Sequence, residues 1–142
     1  MTIRAILQAK EGPVLSISAK ASVTEAIALL AEKRIGALPV VDGGTVCGIF
    51  SERDVVYGIA REGDRLLSRK ISEVMISPAI TVDPDTGVID ALSLMTMRRI
   101  RHLPVLEKGV IAGFVSIGDL VKYRIDRIEA DAAAMRDYIQ AS

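Results

Sequence analysis

Arg34-Ile35-Gly36-Ala37-Leu38-Pro39-Val40 and Gly48-Ile49-Phe50-Ser51-Glu52-Arg53-Asp54 decide the fold, because both stretches return 65 residues later. There they read Arg99-Ile100-Arg101-His102-Leu103-Pro104-Val105 and Gly113-Phe114-Val115-Ser116-Ile117-Gly118-Asp119. Working outward, residues 14–56 align with 79–121 without a gap, and 13 of these 43 positions are identical, among them Val23/Val88, Ala26/Ala91 and Leu29/Leu94. The same register is expected to reach back to Pro13/Pro78 and Ile6/Ile71. Chance does not hold a register over that distance, so the chain is a tandem repeat of one supersecondary unit.

Each copy reads as β-α-β-β-α. Val14-Leu15-Ser16-Ile17 and Ala79-Ile80-Thr81-Val82 are short extended segments. Ser22 or Thr24 then caps a helix whose apolar stripe is Val23, Ala26, Ile27 and Leu30, answered by Val88, Ala91, Leu92 and Met95. The apolar runs 37–41 and 46–50 form a hairpin across Asp42-Gly43-Gly44, whose glycines supply positive φ. Pro39 and Pro104 lack a ladder donor, which predicts that their strands lie at an edge or begin at the proline. A linker is expected around Arg61-Glu62-Gly63-Asp64. Neither copy buries its sheet alone, so the two are expected to pack face to face about a pseudo-twofold axis. The fold class is α+β (α/β-type), with repeats at 5–62 and 71–125 and a helical extension at 126–142.

Composition narrows the function. The 142 residues carry 18 basic and 18 acidic side chains, which argues against a general binder of nucleic-acid backbone. Two phenylalanines, three tyrosines and no tryptophan offer few stacking platforms for single strands. One cysteine, Cys47, excludes an internal disulfide and fits a reducing, cytoplasmic setting; on its apolar strand it reads as core. No apolar run reaches the roughly 20 residues that span a bilayer, and the first seven residues are too broken by charge for a signal peptide.

Catalytic patterns are absent: there is no nucleophile elbow, no Walker loop and no dinucleotide fingerprint. One histidine and one cysteine build no usual metal site, so neither a metal nor a catalytic cofactor is expected. What repeats is Gly-x-x-Ser-x-x-Asp at a strand-to-helix junction. Serine is a preferred cap and an acid in the first turn suits the helix dipole, so Ser51, Asp54, Ser116 and Asp119 have a purely structural reading. The other reading is that each carboxylate takes two hydrogen bonds from a ribose diol, with the serine and the helix N–H groups meeting an adjoining phosphate. Capping does not require the glycine, yet both copies keep it.

These paired motifs, the Arg-Ile-x-x-Leu-Pro-Val strand entry and the Gly-x-x-Ser-x-x-Asp ending, resemble a pair of cystathionine β-synthase (CBS) domains, the Bateman module, over residues 5–125. The opening Ile71-Ser72-Glu73-Val74-Met75 is typical of that family, and Ile6-Leu7-Gln8-Ala9-Lys10 reads as its degenerate counterpart. The resemblance implies a regulatory sensor, not an enzyme, that binds AMP, with ADP, ATP, NAD(H) or S-adenosylmethionine as alternatives. It implies two clefts between the repeats. One combines the ribose-binding Asp119 and Ser116 with an adenine pocket of Pro13, Leu15, Ile35 and Ala37. The other combines Asp54 and Ser51 with Pro78, Ile80, Ile100 and His102. Arg53, Arg101 and His102 lie around this second cleft where the first has Gly118, Gly36 and Ala37, so the Asp54 cleft is expected to favour phosphate. Arg34 and Arg99 either pair with carboxylates or close their helices.

From Asp119 to Tyr138 there is no proline or glycine, and Val121, Ile125, Ile128, Ala132, Met135 and Ile139 recur at heptad-like steps. This seam either covers its own sheet or meets a second subunit; the family habit of forming dimers favours a homodimer. The signal would pass to an effector protein as a change in the arrangement of the repeats. The alternative from another class is a structural dimerisation module that binds no ligand.

Overall fold

The computed structural model describes residues 1–10 and 12–141. In the first repeat, α1 (Ile3–Ala9) and β1 (Ile17–Ser18) precede α2 (Val23–Lys33), the hairpin β2 (Ala37–Asp42) and β3 (Thr45–Ser51), and α3 (Glu52–Glu62). A 3-10 turn, Gly63–Ser68, leads into the second repeat. That repeat contains α4 (Ile71–Val74), α5 (Val88–Arg98), β4 (His102–Glu107), β5 (Val110–Ser116) and α6 (Ile117–Ala141).

The 65-residue register holds through the hairpins to the level of single pairs. Ala37 faces Ser51 and Val40 faces Gly48, as His102 faces Ser116 and Val105 faces Gly113. Both hairpins carry an irregularity at the same place, Val40/Val41 and Val105/Leu106. β1 pairs with β2 in parallel through Ile17 and Val40, and Val82 makes the matching parallel bridge to Val105. β2 is therefore the middle strand of three, not an edge. Proline is tolerated there because the parallel neighbour is so short. Val82 N donates to Pro104 O, so the missing Pro104 donor points to the same side, just before that neighbour begins to pair.

Of the two candidate caps for α2, Ser22 acts: its Oγ accepts from Glu25 N at 3.1 Å, while Thr24 Oγ1 donates to Leu67 O. Arg34 and Arg99 close their helices with left-handed backbones at φ 54° and 55°. The expected linker is folded, because α3 runs through Arg61 and Glu62, and Leu66 in the following turn is 1% exposed. Gly58 makes room for it, since a Cβ there would lie 2.5 Å from Leu66 Cδ1.

There are two cores, one per repeat, and the opening helices are exchanged between them. Ile3 and Ile6 of α1 pack with Val88, Met95, Leu103 and Leu120 of the second repeat. Ile71 of α4 packs with Val23, Leu38, Phe50 and Leu66 of the first. Backbone bonds fix the register of this exchange. Ile3 N donates to Thr86 O and Arg4 N to Pro84 O; Ile71 N donates to Ala21 O and Ser72 N to Ala19 O. Ile71 thus answers to Ile3, not to Ile6, which corrects the expected gap-free register by three residues. The counterpart of Ile71-Ser72-Glu73-Val74-Met75 is Ile3-Arg4-Ala5-Ile6-Leu7, and Gln8-Ala9-Lys10 is an extra turn that only the first repeat has.

Candidate functional site

The two strand-to-helix junctions are built alike. At the second, Ser116 N donates to Asp119 Oδ2 at 2.8 Å and Asp119 N donates to Ser116 Oγ at 3.1 Å, a reciprocal cap that fixes the carboxylate in the first turn of α6. At the first, Asp54 Oδ2 accepts from Ser51 N at 2.9 Å and from Ser51 Oγ at 3.2 Å. The first N–H of each helix donates to the strand entry of its own repeat, Glu52 N to Gly36 O and Ile117 N to Arg101 O, so each junction is clamped to its own hairpin. Capping thus consumes one carboxylate oxygen in each copy. No described residue donates to Oδ1 of Asp54 or Asp119.

A cavity of about 490 Å³ opens beside Asp119, lined by Ser116, Pro13, Leu15, Ile35 and Ala37. All six residues assigned to this cleft from sequence are brought together. Sequence reasoning missed Lys10, Phe114 and the further contribution of His102. Lys10, on the extra turn of α1, donates to Asp119 Oδ2 at 2.8 Å and to Phe114 O at 2.9 Å. His102 stacks on Phe114, with centroids 5.4 Å apart and planes 11° from parallel.

A second cavity of about 440 Å³ lies beside Asp54. Ser51, Arg53, Ile100, Arg101 and His102 line it, as assigned. Pro78 and Ile80 do not: Ile80 packs on the second core, and the wall is formed instead by Ile49, Ile76 and Tyr57. Ile76 is held there by paired backbone bonds with Ile49, at 3.0 and 2.9 Å, which leave the following Pro78 beyond the cavity. Arg34 lines the first cavity and Arg99 the second. Among the described residues, neither makes an ion pair, nor do Arg53 and Arg101.

The two carboxylates differ in acidity. Burial pushes Asp54 up from the ordinary aspartate value, against the opposing pull of Ser51 and the Arg53 charge. Burial acts the same way on Asp119, but the Lys10 ammonium and the Ser116 donors outweigh it and hold that carboxyl below its ordinary value. His102 is pushed down, chiefly by burial. Among the described residues no cluster of three histidines, cysteines or carboxylates could hold a metal ion, and no helix is long and apolar enough to cross a membrane.

Two mutually exchanged repeats with a capped aspartate in each inter-repeat cavity are matched by a known sequence pattern: the CBS domain fits residues 4–61 and again 71–126. The chain belongs to the CBS-domain family. It is a tandem CBS pair, a regulatory, non-catalytic module. This CBS pair is 33% identical over 148 residues to the mitochondrial CBS domain-containing protein CBSX3 of Arabidopsis thaliana, covering 98% of this chain and 72% of the relative. It resembles the crystal structure of a CBS-domain-containing protein from Agrobacterium tumefaciens at TM-score 0.82 and 35% identity, covering 87% of this chain and 92% of the other. It also resembles CBSX2, whose crystal structure is a complex with AMP, at TM-score 0.75 and 25% identity over 88% of this chain and 96% of that one.

Proposed function

We propose that this CBS pair is an adenine-nucleotide sensor that holds AMP, or a related ADP, ATP, NAD(H) or S-adenosylmethionine, in the two clefts. The observation that carries the reading is that each cavity presents the same set: an aspartate with one unclaimed oxygen, apolar walls from the strand entry, and an arginine with no ion pair. Capping accounts for one oxygen of each carboxylate and leaves the other for a ribose hydroxyl. The AMP complex of CBSX2 supports the choice of ligand.

Asp54, Asp119, Ser51 and Ser116 hold ribose in this reading. Pro13, Leu15, Ile35 and Ala37 in one cleft, and Ile100 with Ile76 in the other, enclose adenine. Arg53, Arg99 and Arg101 make the Asp54 cleft the better phosphate site, because three uncommitted guanidiniums face it against one in the Asp119 cleft. Ligand binding favours one arrangement of the repeats, and that arrangement is what an effector protein reads. The reading extends to a homodimer through α6, whose Val121, Ile125, Ile128 and Met135 are 41–59% exposed and so do not cover their own sheet.

Isothermal titration of nucleotide-stripped protein with AMP, ATP and NADH tests the proposal. Binding that Asp54→Ala removes from one cleft and Asp119→Ala from the other is the expected result. Absence of heat with all three ligands, and no change in Tm, would overturn it and leave the ligand-independent dimerisation module as the better account.

A further inference from the structure

The two cavities share a wall. Gly36 and His102 line both, and the repeat symmetry is broken at this wall: the counterpart of Gly36 is Arg101, and the counterpart of His102 is Ala37, which lines only the first cavity. His102 is half-buried, stacked on Phe114, and is the only histidine of the chain. The charged groups facing it come from four elements: Asp119 at the start of α6, Lys10 at the end of α1, Glu52 at the start of α3, and Arg101 at the entry to β4. Arg34 shares the first cavity with it, and Arg53, Asp54 and Arg99 share the second.

We infer that His102 couples the two clefts, so that a phosphate-bearing nucleotide held in one strengthens the binding of a second phosphate-bearing nucleotide in the other. The inference rests on the nucleotide reading above. Without ligand, burial favours the neutral imidazole, the Arg101 and Lys10 charges act the same way, and together they outweigh the opposing pull of Asp119 and Glu52. A phosphate entering either cleft adds negative charge at the shared wall. The imidazole then takes one proton from solvent, and the resulting cation is present in both cavities at once. An anionic ligand arriving second meets a charge that the first did not find. An uncharged nucleoside supplies no such charge, so the coupling is specific to phosphorylated ligands. By linkage it acts equally in both directions.

The single histidine makes the test direct. Its imidazole resonances are followed by proton NMR against pH with no ligand, with adenosine and with AMP. The expected result is a titration midpoint raised by AMP and left in place by adenosine. Calorimetry in two buffers of different ionisation heat should show proton uptake with AMP near pH 7. Asp54→Ala and Asp119→Ala supply the affinity of each cleft alone, and the intact protein should bind the pair about tenfold more tightly than those two values imply, within the range usual for coupled sites. Both effects should vanish in His102→Gln and in His102→Ala, the residue that the other repeat carries. AMP binding at two independent sites with no movement of the histidine titration would overturn the coupling and leave the nucleotide reading intact. Coupling that persists in both variants would overturn it too. No AMP binding of any kind would defeat the nucleotide reading itself, and this inference with it.

Discussion

Gly48 and Gly113 occupy equivalent places in the two hairpins, yet substitution by alanine is expected to have unequal consequences. A Cβ on Gly48 would lie 2.7 Å from the backbone oxygen of Ile76 and 2.7 Å from Met75 Sδ. The sulfur can swing aside, but the oxygen belongs to a main chain held to Ile49 by two hydrogen bonds of 3.0 and 2.9 Å. Overpacking of this kind costs about 1–3 kcal/mol, and weakening those bonds adds about 1 kcal/mol. The three atoms nearest to a Cβ on Gly113 all belong to the Leu7 side chain. A leucine tip can change rotamer, so the cost is near the lower end, about 1 kcal/mol, and the reduced backbone entropy of alanine in a strand offsets roughly 0.5–1 kcal/mol of the loss at either position. Gly48→Ala should therefore lose about 2–3 kcal/mol and Gly113→Ala less than about 1 kcal/mol. For a chain of this length that is roughly 4–12 °C in Tm against 4 °C or less. Scanning calorimetry with urea titration of both variants checks it. Equal losses, or a larger loss at Gly113, would refute the idea that the glycines are kept for the approach of the other repeat's opening segment.

Leu66→Ala, at a side chain 1% exposed under Gly58, should cost about 2–4 kcal/mol by opening a cavity, as read by urea denaturation; a loss below 1 kcal/mol would mean that the inter-repeat turn is not part of the first core. Lys10→Met should cost about 0.5–1 kcal/mol at pH 7, since the pair with Asp119 is 44% and 29% exposed on its two sides. Because the folded Asp119 titrates below its unfolded value, that difference is fully present above about pH 4 and fades as pH falls through the lower folded value, which denaturation at pH 7 and pH 3 measures. His102 also titrates below its unfolded value, so its contribution is present above about pH 6.5 and is lost as pH falls toward the folded value. Wild type should lose more stability between pH 7.5 and 5.5 than His102→Gln does; parallel pH profiles would contradict this.

The hairpins and their junctions were legible in the sequence because local chemistry determines them. Turn glycines, a strand-to-helix serine and an aspartate three residues later leave one register, and it is the one observed. The opening helix was not. Ile3 and Ile6 both satisfy a helical stripe, and only the partner repeat decides between them, through bonds from Ile3 N to Thr86 O and from Arg4 N to Pro84 O. Reading Ile6 as the counterpart of Ile71 hid the extra turn, and with it the reach of Lys10 to Asp119. The signal was present as Ile3-Arg4-Ala5-Ile6-Leu7 against Ile71-Ser72-Glu73-Val74-Met75, with apolar residues at the first, fourth and fifth places of both. Pro39 suggested an edge because proline lacks a donor, but the shortness of β1 leaves no bond to lose. Pro78 and Ile80 are the 65-residue counterparts of Pro13 and Leu15, but the pairing of Ile76 with Ile49 puts a different residue in the wall. That His102 serves both clefts follows from how the hairpins meet, which no local pattern records.

The most direct test of the account is a crystal structure of the protein grown with AMP. The account requires the ribose hydroxyls within hydrogen-bond distance of the Oδ1 atoms of Asp54 or Asp119, with the phosphate facing Arg53, Arg99 or Arg101 where the Asp54 cleft is filled. AMP bound away from both aspartates, or both clefts empty at a saturating concentration, would contradict it.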